Sequence, residues 1–262
     1  MRRRGLFRIV AGVLGAGCLS MAAPAGAASP IRGDGQAGEV AREARAGAGS
    51  SSAATGAGPE LVLLIQRGGP NQSVDDAVAA HLRERGFTVR VEDQRVDPAT
   101  ARSAALVVIS STVSSKDLNP AWRQLPVPLL TWENDFLDDL AMTGKKHDVD
   151  FGAEVKERFL WIVNAPHPMA GGLPAGISNV YVKQAGIGWG RPGPGASVIA
   201  TVYGEPSKAA VFGYERGATM DYESLAPARR VMVFLDNETF TNLSPTGRTL
   251  FDAAIEWAAG RR

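Results

Sequence analysis

Residues 60–93 read ELVLLIQRGGPNQSVDDAVAAHLRERGFTVRVED, and this stretch decides the fold class. Leu61 to Ile65 is a short run with no polar position in it. A strand buried on both faces has that texture, whereas a half-solvated strand alternates. The glycine-containing loop Arg67-Gly68-Gly69-Pro70 follows. Ser73 and Asp76 then have capping-box spacing ahead of a helix that lines one face with Val74, Val78 and Leu82. Gly86 stops that helix, and Phe87 to Val91 reads as a second strand. Strand, helix and strand in this order make one unit of a parallel sheet.

Downstream, the alternation continues. Asp97-Pro98 opens a short helix, with proline at its first position. Ala104 to Ile109 is a third apolar strand, Lys116 to Leu125 is partly helical, Val127 to Trp132 is a fourth strand, and Asp135 to Met142 is a helix. The expected fold is therefore α/β, a doubly wound, mostly parallel, flavodoxin-like sheet. The second half is richer in strands. Phe159–Val163, Asn179–Lys183, Ser197–Val202, Ala209–Tyr214 and Arg230–Leu235 all qualify, several of them close enough to pair as antiparallel additions. Ser244 and Pro245 start a terminal helix with a buried stripe of Leu250, Phe251, Ala254, Ile255 and Trp257, and Gly260 ends it.

Upstream, the texture is different. Arg2, Arg3, Arg4 and Arg8 precede an apolar, glycine-interrupted stretch, and Ala25-Gly26-Ala27 offers a small-residue cleavage site. Residues 1–27 read as a signal peptide of the Sec or twin-arginine type, so the expected location is secreted, periplasmic or cell-envelope, with no membrane attachment after cleavage. Residues 28–58 are mostly Ala, Gly and Ser and read as a flexible linker. The globular domain is then 59–262. Cys18 is the only cysteine and falls in the leader, so the mature chain can hold neither a disulfide nor a thiolate. Three histidines argue against a multi-histidine metal site, and a net charge of +1 against nucleic acid. No metal and no cofactor are expected. Oligomeric state is not legible.

In open α/β sheets the ligand lies beyond the carboxyl ends of the strands, so the informative residues are those just after each strand. Neither G-x-x-x-x-G-K-[ST] nor G-x-G-x-x-G follows the first one. After the third come Ser110 and Ser111, which suit an anion or cap the next helix. After the fourth come Trp132, Glu133 and Asp135, with Asp138 and Asp139 beyond. Those carboxylates suit a hard cation or simply the positive end of a helix. His167, between Pro166 and Pro168, is a general base or the peg of its loop. Trp189 and Arg191, in the stretch Gly186-Ile187-Gly188-Trp189-Gly190-Arg191, present a stacking ring and a cation, or pin a long turn. Asp236 ends the last strand as a site residue or a loop cap.

The domain resembles the class I glutamine amidotransferase-like superfamily, and within it the ThuA-like (trehalose-utilisation) branch of secreted bacterial domains. The resemblance rests on Leu61–Ile65 with Gly86-Phe87-Thr88-Val89, on Ala105-Leu106-Val107-Val108-Ile109-Ser110, on His167-Pro168-Met169-Ala170-Gly171-Gly172-Leu173 and on the closing Ile255-Glu256-Trp257-Ala258. It implies a cleft near the fourth strand and a link with sugars. Amidotransferases carry a nucleophilic cysteine there, within G-x-C-x-G. Here the stretch is Thr131-Trp132-Glu133-Asn134-Asp135, with Glu133 in the place of the cysteine, so glutaminase chemistry is excluded.

Three functions follow. The first is a non-catalytic binding or accessory domain for a carbohydrate or other small polar ligand, through Ser110, Ser111, Trp132, Asp135, Trp189, Arg191 and Asp236. The second is a sugar-directed hydrolase or isomerase with Glu133 as acid/base and His167 or Asp236 assisting. The third is a protein-interaction module with a vestigial cleft. Alanine at Glu133, His167 and Trp189 separates them: the enzyme needs Glu133, the binder needs Trp189, and the third needs none.

Overall fold

The computed structural model describes residues 58–262. The leader expected over 1–27, and all but the last residue of the linker expected over 28–58, lie outside the described residues. Within them are eleven strands and two α-helices. Strands β1 (Glu60–Ile65), β2 (Thr88–Asp93), β3 (Leu106–Ile109), β4 (Leu129–Thr131) and β11 (Arg230–Met232) are parallel, in the spatial order β2-β1-β3-β4-β11. This is the flavodoxin-like 2-1-3-4-5 order. The sheet continues antiparallel through β10 (Glu205–Tyr214), β9 (Ser197–Val202), β6 (Phe159–Ile162) and β7 (Gly176–Asn179). Two further strands, β5 (Phe151–Glu157) and β8 (Ala185–Gly190), pair with each other, and β8 also bridges to β10.

The unbroken apolar runs serve two cores at once. On β1, Leu61, Leu63 and Ile65 face one core while Val62 and Leu64 face the other. Leu106 and Val108 of β3 oppose Val107 and Ile109 in the same way. Each such fully buried side chain is worth about 1.5–3 kcal/mol. Both helices, α1 (Gln72–Glu84) and α2 (Pro245–Ala258), pack on the first core, through Val78, Ala79 and Leu82 and through Leu250, Phe251 and Ile255. The second core is covered by short 3₁₀ turns and loops, which bring in Ala101, Trp122, Phe136 and Leu140. The parallel part of the sheet is therefore covered on both faces, but by α-helices on only one.

Four local expectations change. Helix α1 starts after Asn71, with no side-chain cap, so Ser73 lies inside it rather than capping it. Gln72 Oε1 instead accepts from the Gly68 amide at 2.6 Å and ties the preceding loop to the first turn. The helix expected over Asp135–Met142 is one 3₁₀ turn, Asn134–Phe136, followed by a turn closed by the Met142 amide on Leu137 O at 2.8 Å. That bond puts Ala141 at φ +57° and ends the coil as a helix C-cap would. The strand expected over Asn179–Lys183 sits earlier, at Gly176–Asn179. Finally, Gly186-Ile187-Gly188-Trp189-Gly190 is strand β8, not a long turn. Its glycines serve close packing: a Cβ on Gly188 would lie 3.0 Å from Met232 Cε and 3.2 Å from Leu235 O. The terminal helix follows its sequence signals, with Ser244 Oγ accepting from the Gly247 amide at 3.0 Å.

Candidate functional site

The residues that follow β3, β4 and β11 surround a cleft of about 400 Å³, at the carboxyl ends of the parallel strands. Ser111, Ser114, Ser115 and Lys116 come from the loop after β3, Trp132 to Asp135 from the turn after β4, and Leu235 to Asn237 from the segment after β11. Asp236 and Asn237 also border an adjoining hollow of about 440 Å³, which reaches Asn71, Gln184 and Gly186.

Glu133 is the buried carboxyl group of this set, 7% exposed. Its backbone is fixed from below: the Glu133 amide donates to Thr131 Oγ1 at 2.9 Å, and that hydroxyl donates to Ile109 O at 3.1 Å. Its carboxylate caps the short turn after it, Oε1 accepting from the Asp135 amide at 3.1 Å. Burial pushes the carboxyl up to about 8, Asp135 and Asp236 push in the same direction, and the Asp135 amide bond opposes them. At neutral pH Glu133 therefore carries a proton and can donate a hydrogen bond into the cleft. Asp236 closes the far side. Its amide donates to Thr239 Oγ1 at 2.7 Å, and its Oδ1 accepts from the Asn237 amide at 2.7 Å. Strand β8 lies against it, and a Cβ on Gly186 would sit 2.0 Å from Asp236 Oδ2. Gly186→Ala is thus expected to displace the Asp236 carboxylate and to cost about 1–3 kcal/mol by overpacking. Denaturant unfolding of the variant measures that loss, and an unchanged midpoint would remove β8 as the wall that sets Asp236.

Solved structures of similar fold are known, although no protein-family model and no curated protein matches the chain. A Thermoplasma acidophilum protein named after GMP synthase is similar at a TM-score of 0.46 and 13% identity, covering 78% of this chain and 96% of that one. A ThuA-like protein from Parabacteroides merdae is similar at a TM-score of 0.48 and 15% identity, covering 78% of this chain and 91% of that one. The resemblance is one of fold. At the position where an amidotransferase nucleophile is expected, Glu133 has φ −79° and ψ 98°. That is relaxed extended backbone, not the strained turn that projects a nucleophile.

The structure brings together Ser111, Trp132, Glu133, Asp135 and Asp236 of the expected residues. It places four elsewhere. Ser110 is 1% exposed, and its hydroxyl donates to Asp75 Oδ1 on α1 at 2.6 Å. Thr112 donates to the other oxygen of Asp75 at 2.7 Å, so this pair secures a buried carboxylate that burial has pushed up. Trp189 is buried, not exposed: its ring lies against Gly152 and under Lys208 Nζ, 5.1 Å from the ring centre. Arg191 is exposed and reaches Ser207 Oγ at 3.3 Å.

His167 is at the opposite end of the sheet. It packs on Trp257 near the end of α2, with Arg229 and Glu215 about it, and those two residues lie beside the start of β11. Its Nδ1 accepts from the Met169 amide at 3.2 Å and caps a 3₁₀ turn. The expected convergence of Glu133 and His167 therefore fails: the one follows the carboxyl end of β4, and the other serves its loop. Asn134, Asn237 and Lys116 were missed. The two asparagines directly adjoin Glu133 and Asp236, so their places after strand ends were the available signal. Among the described residues, no group of three or more His, Cys, Asp or Glu is arranged to hold a metal ion.

Proposed function

We propose that the chain binds a small, neutral, hydroxyl-rich molecule of carbohydrate type in this cleft, as a binding or accessory domain. The observation that carries this reading is the chemistry of the walls. Serine hydroxyls, two asparagine amides, a lysine and three carboxyl groups line the cleft, and the Trp132 indole beside them is 3% exposed. Such a surface gives adjacent sugar hydroxyls both donors and acceptors. Asp135 and Asp236 against Lys116 disfavour an anion. With the first 27 residues expected to direct export, the ligand would be met outside the cytoplasm.

The test is a thermal-shift panel on the purified chain with neutral mono- and disaccharides, sugar phosphates and divalent cations. A neutral sugar at about 100 times its Kd stabilises the fold by about 2.7 kcal/mol. For a domain of this size that is roughly 5–10 °C. Asn237→Ala should reduce the shift, and the shift should shrink as pH rises through about 8, where Glu133 loses its proton. A response confined to sugar phosphates or cations overturns the reading, as does no response at all.

Glu133 also supports a second reading. A carboxyl held neutral at pH 7 beside two further carboxyl groups is equipped to act as a general acid on a glycosidic oxygen. His167 cannot assist, given its place. Release of reducing sugar from the panel, abolished in Glu133→Gln, would favour this enzyme over the binder.

A further inference from the structure

A second surface, away from the cleft, has its own ligand chemistry. On the antiparallel extension, Trp161 pairs with Ile177 of β7 on one side and Thr201 of β9 on the other. By strand alternation Val163 and Tyr203 share that face. Their neighbours Leu160, Ile162 and Val202 point into the core, so this is the outer face of the sheet. Trp161 and Tyr203 are 46% and 45% exposed, and Val163 and Ile177 are more open still, at 49% and 55%. The two aromatic rings are neighbours, their centres 6.3 Å apart and their planes 29° from parallel. They border a groove of about 390 Å³ whose polar groups are Thr201, Glu205 and the Tyr203 hydroxyl.

We infer that this face is a stacking platform for a neutral oligo- or polysaccharide, independent of the cleft and of what the cleft binds. Three features select that occupant. Two half-exposed rings with planes 29° from parallel, flanked by Val163 and Ile177, offer neighbouring apolar faces, which fit the C–H faces of pyranose units. A hydroxyl and a carboxylate at its border accept or donate to the equatorial hydroxyls that such units point sideways. The groove lining holds a carboxylate and no cation, which disfavours nucleic acid, whose bases also stack but whose backbone needs a basic track. The same charge disfavours an anionic lipid surface. Lys208, the nearest partner of Glu205 at 3.9 Å, is held by Glu154 and by the Trp189 ring.

The tryptophans make the platform directly readable. Trp122, Trp132, Trp189 and Trp257 are all at most 3% exposed, so Trp161 is the only solvent-facing indole of the five in the chain. The experiment is affinity electrophoresis of the full chain in gels containing hydroxyethyl cellulose, soluble starch or galactomannan. Titration of the matching oligosaccharide is followed in parallel by tryptophan emission and acrylamide quenching. The expected result is retardation in at least one gel, with a blue shift and protection of the exposed indole. Trp161→Ala should weaken binding at least tenfold, Tyr203→Ala should weaken it by a similar factor, and Trp161→Phe should stay within about threefold of the parent. Both alanine positions are half-exposed, so the melting temperature should hold, and Tyr203→Ala carries the test if Trp161→Ala misfolds. Any cleft-borne thermal shift should survive in Trp161→Ala, which separates failure of this inference from failure of the cleft reading. Retardation unchanged in both alanine variants overturns the platform, as does no retardation in any of the three gels. So does indole protection by phosphatidylglycerol vesicles without a glycan response. A concentration-dependent blue shift of the chain alone would overturn it too, by assigning the face to a second copy.

Discussion

Replacing Arg230 by alanine is expected to destabilise the fold by about 3–5 kcal/mol, because it empties a fully buried site and strips several buried carbonyls of their donor. Arg230 opens β11 and is 0% exposed, with no carboxylate partner among the described residues. Its guanidinium is held instead by main-chain carbonyls. Nη1 donates to Val127 O at 2.9 Å and Arg229 O at 3.1 Å, and Nη2 donates to Leu125 O at 2.6 Å and Arg123 O at 3.3 Å. Burial pulls its pKa down only to about 10, so it stays charged at neutral pH. The loop before β4 is thus threaded onto β11 by one side chain, because a segment that turns there leaves its carbonyls facing the core rather than water. Alanine would orphan those oxygens and open a cavity; methionine would fill the volume and orphan them still. Urea unfolding should place both variants well below the parent, with alanine the lower. For a domain of this size the loss corresponds to roughly 6–20 °C in melting temperature. A methionine variant as stable as the parent would show that the carbonyls do not need the guanidinium.

Arg230 also shows how far the sequence reaches. It reads there as the polar start of a strand, since nothing local announces that an arginine will be buried. What was legible was the part governed by local pattern. The parallel strands were visible because burial on both faces forbids polar positions in Leu61–Ile65 and Leu106–Ile109. Helix α2 was visible because its cap and stripe are local too. The polar rim of the cleft was visible at Ser111, Glu133 and Asp236, because strand ends in such a sheet converge by topology. What depended on tertiary contact was not. The glycines of β8 read as a turn, although they are small because Met232 and Asp236 occupy the space. Trp189 read as a surface ring because the sequence does not show that Gly152 lies beneath it. His167 lies between two prolines, yet that setting fixes only the loop and not the end of the sheet to which it is delivered.

The second large effect is expected at Glu133. In the unfolded chain this carboxyl titrates near 4.5, and in the folded chain near 8. Between those values the folded form keeps a proton that the unfolded form has released. Stability therefore falls as pH rises through this window, and levels off above about 8. Glu133→Gln removes the titration while keeping an oxygen to accept from the Asp135 amide, and it places a permanent donor beside Asp135 and Asp236. The variant should match the parent near pH 4 and gain on it by up to about 1.4 kcal/mol per pH unit above pH 5, to at most about 5 kcal/mol beyond pH 8. Asp75, whose carboxyl burial also raises, contributes the same slope to both proteins and cancels in the difference. Urea midpoints at pH 4, 6 and 8 for the pair measure this directly, and parallel curves would place Glu133 in a wetter site than its burial implies. A stabilising substitution at a cleft residue has a further meaning. The amide keeps a donor in the cleft at every pH, so what the proposed sugar site would lose in the exchange is the switching-off of that donor near pH 8.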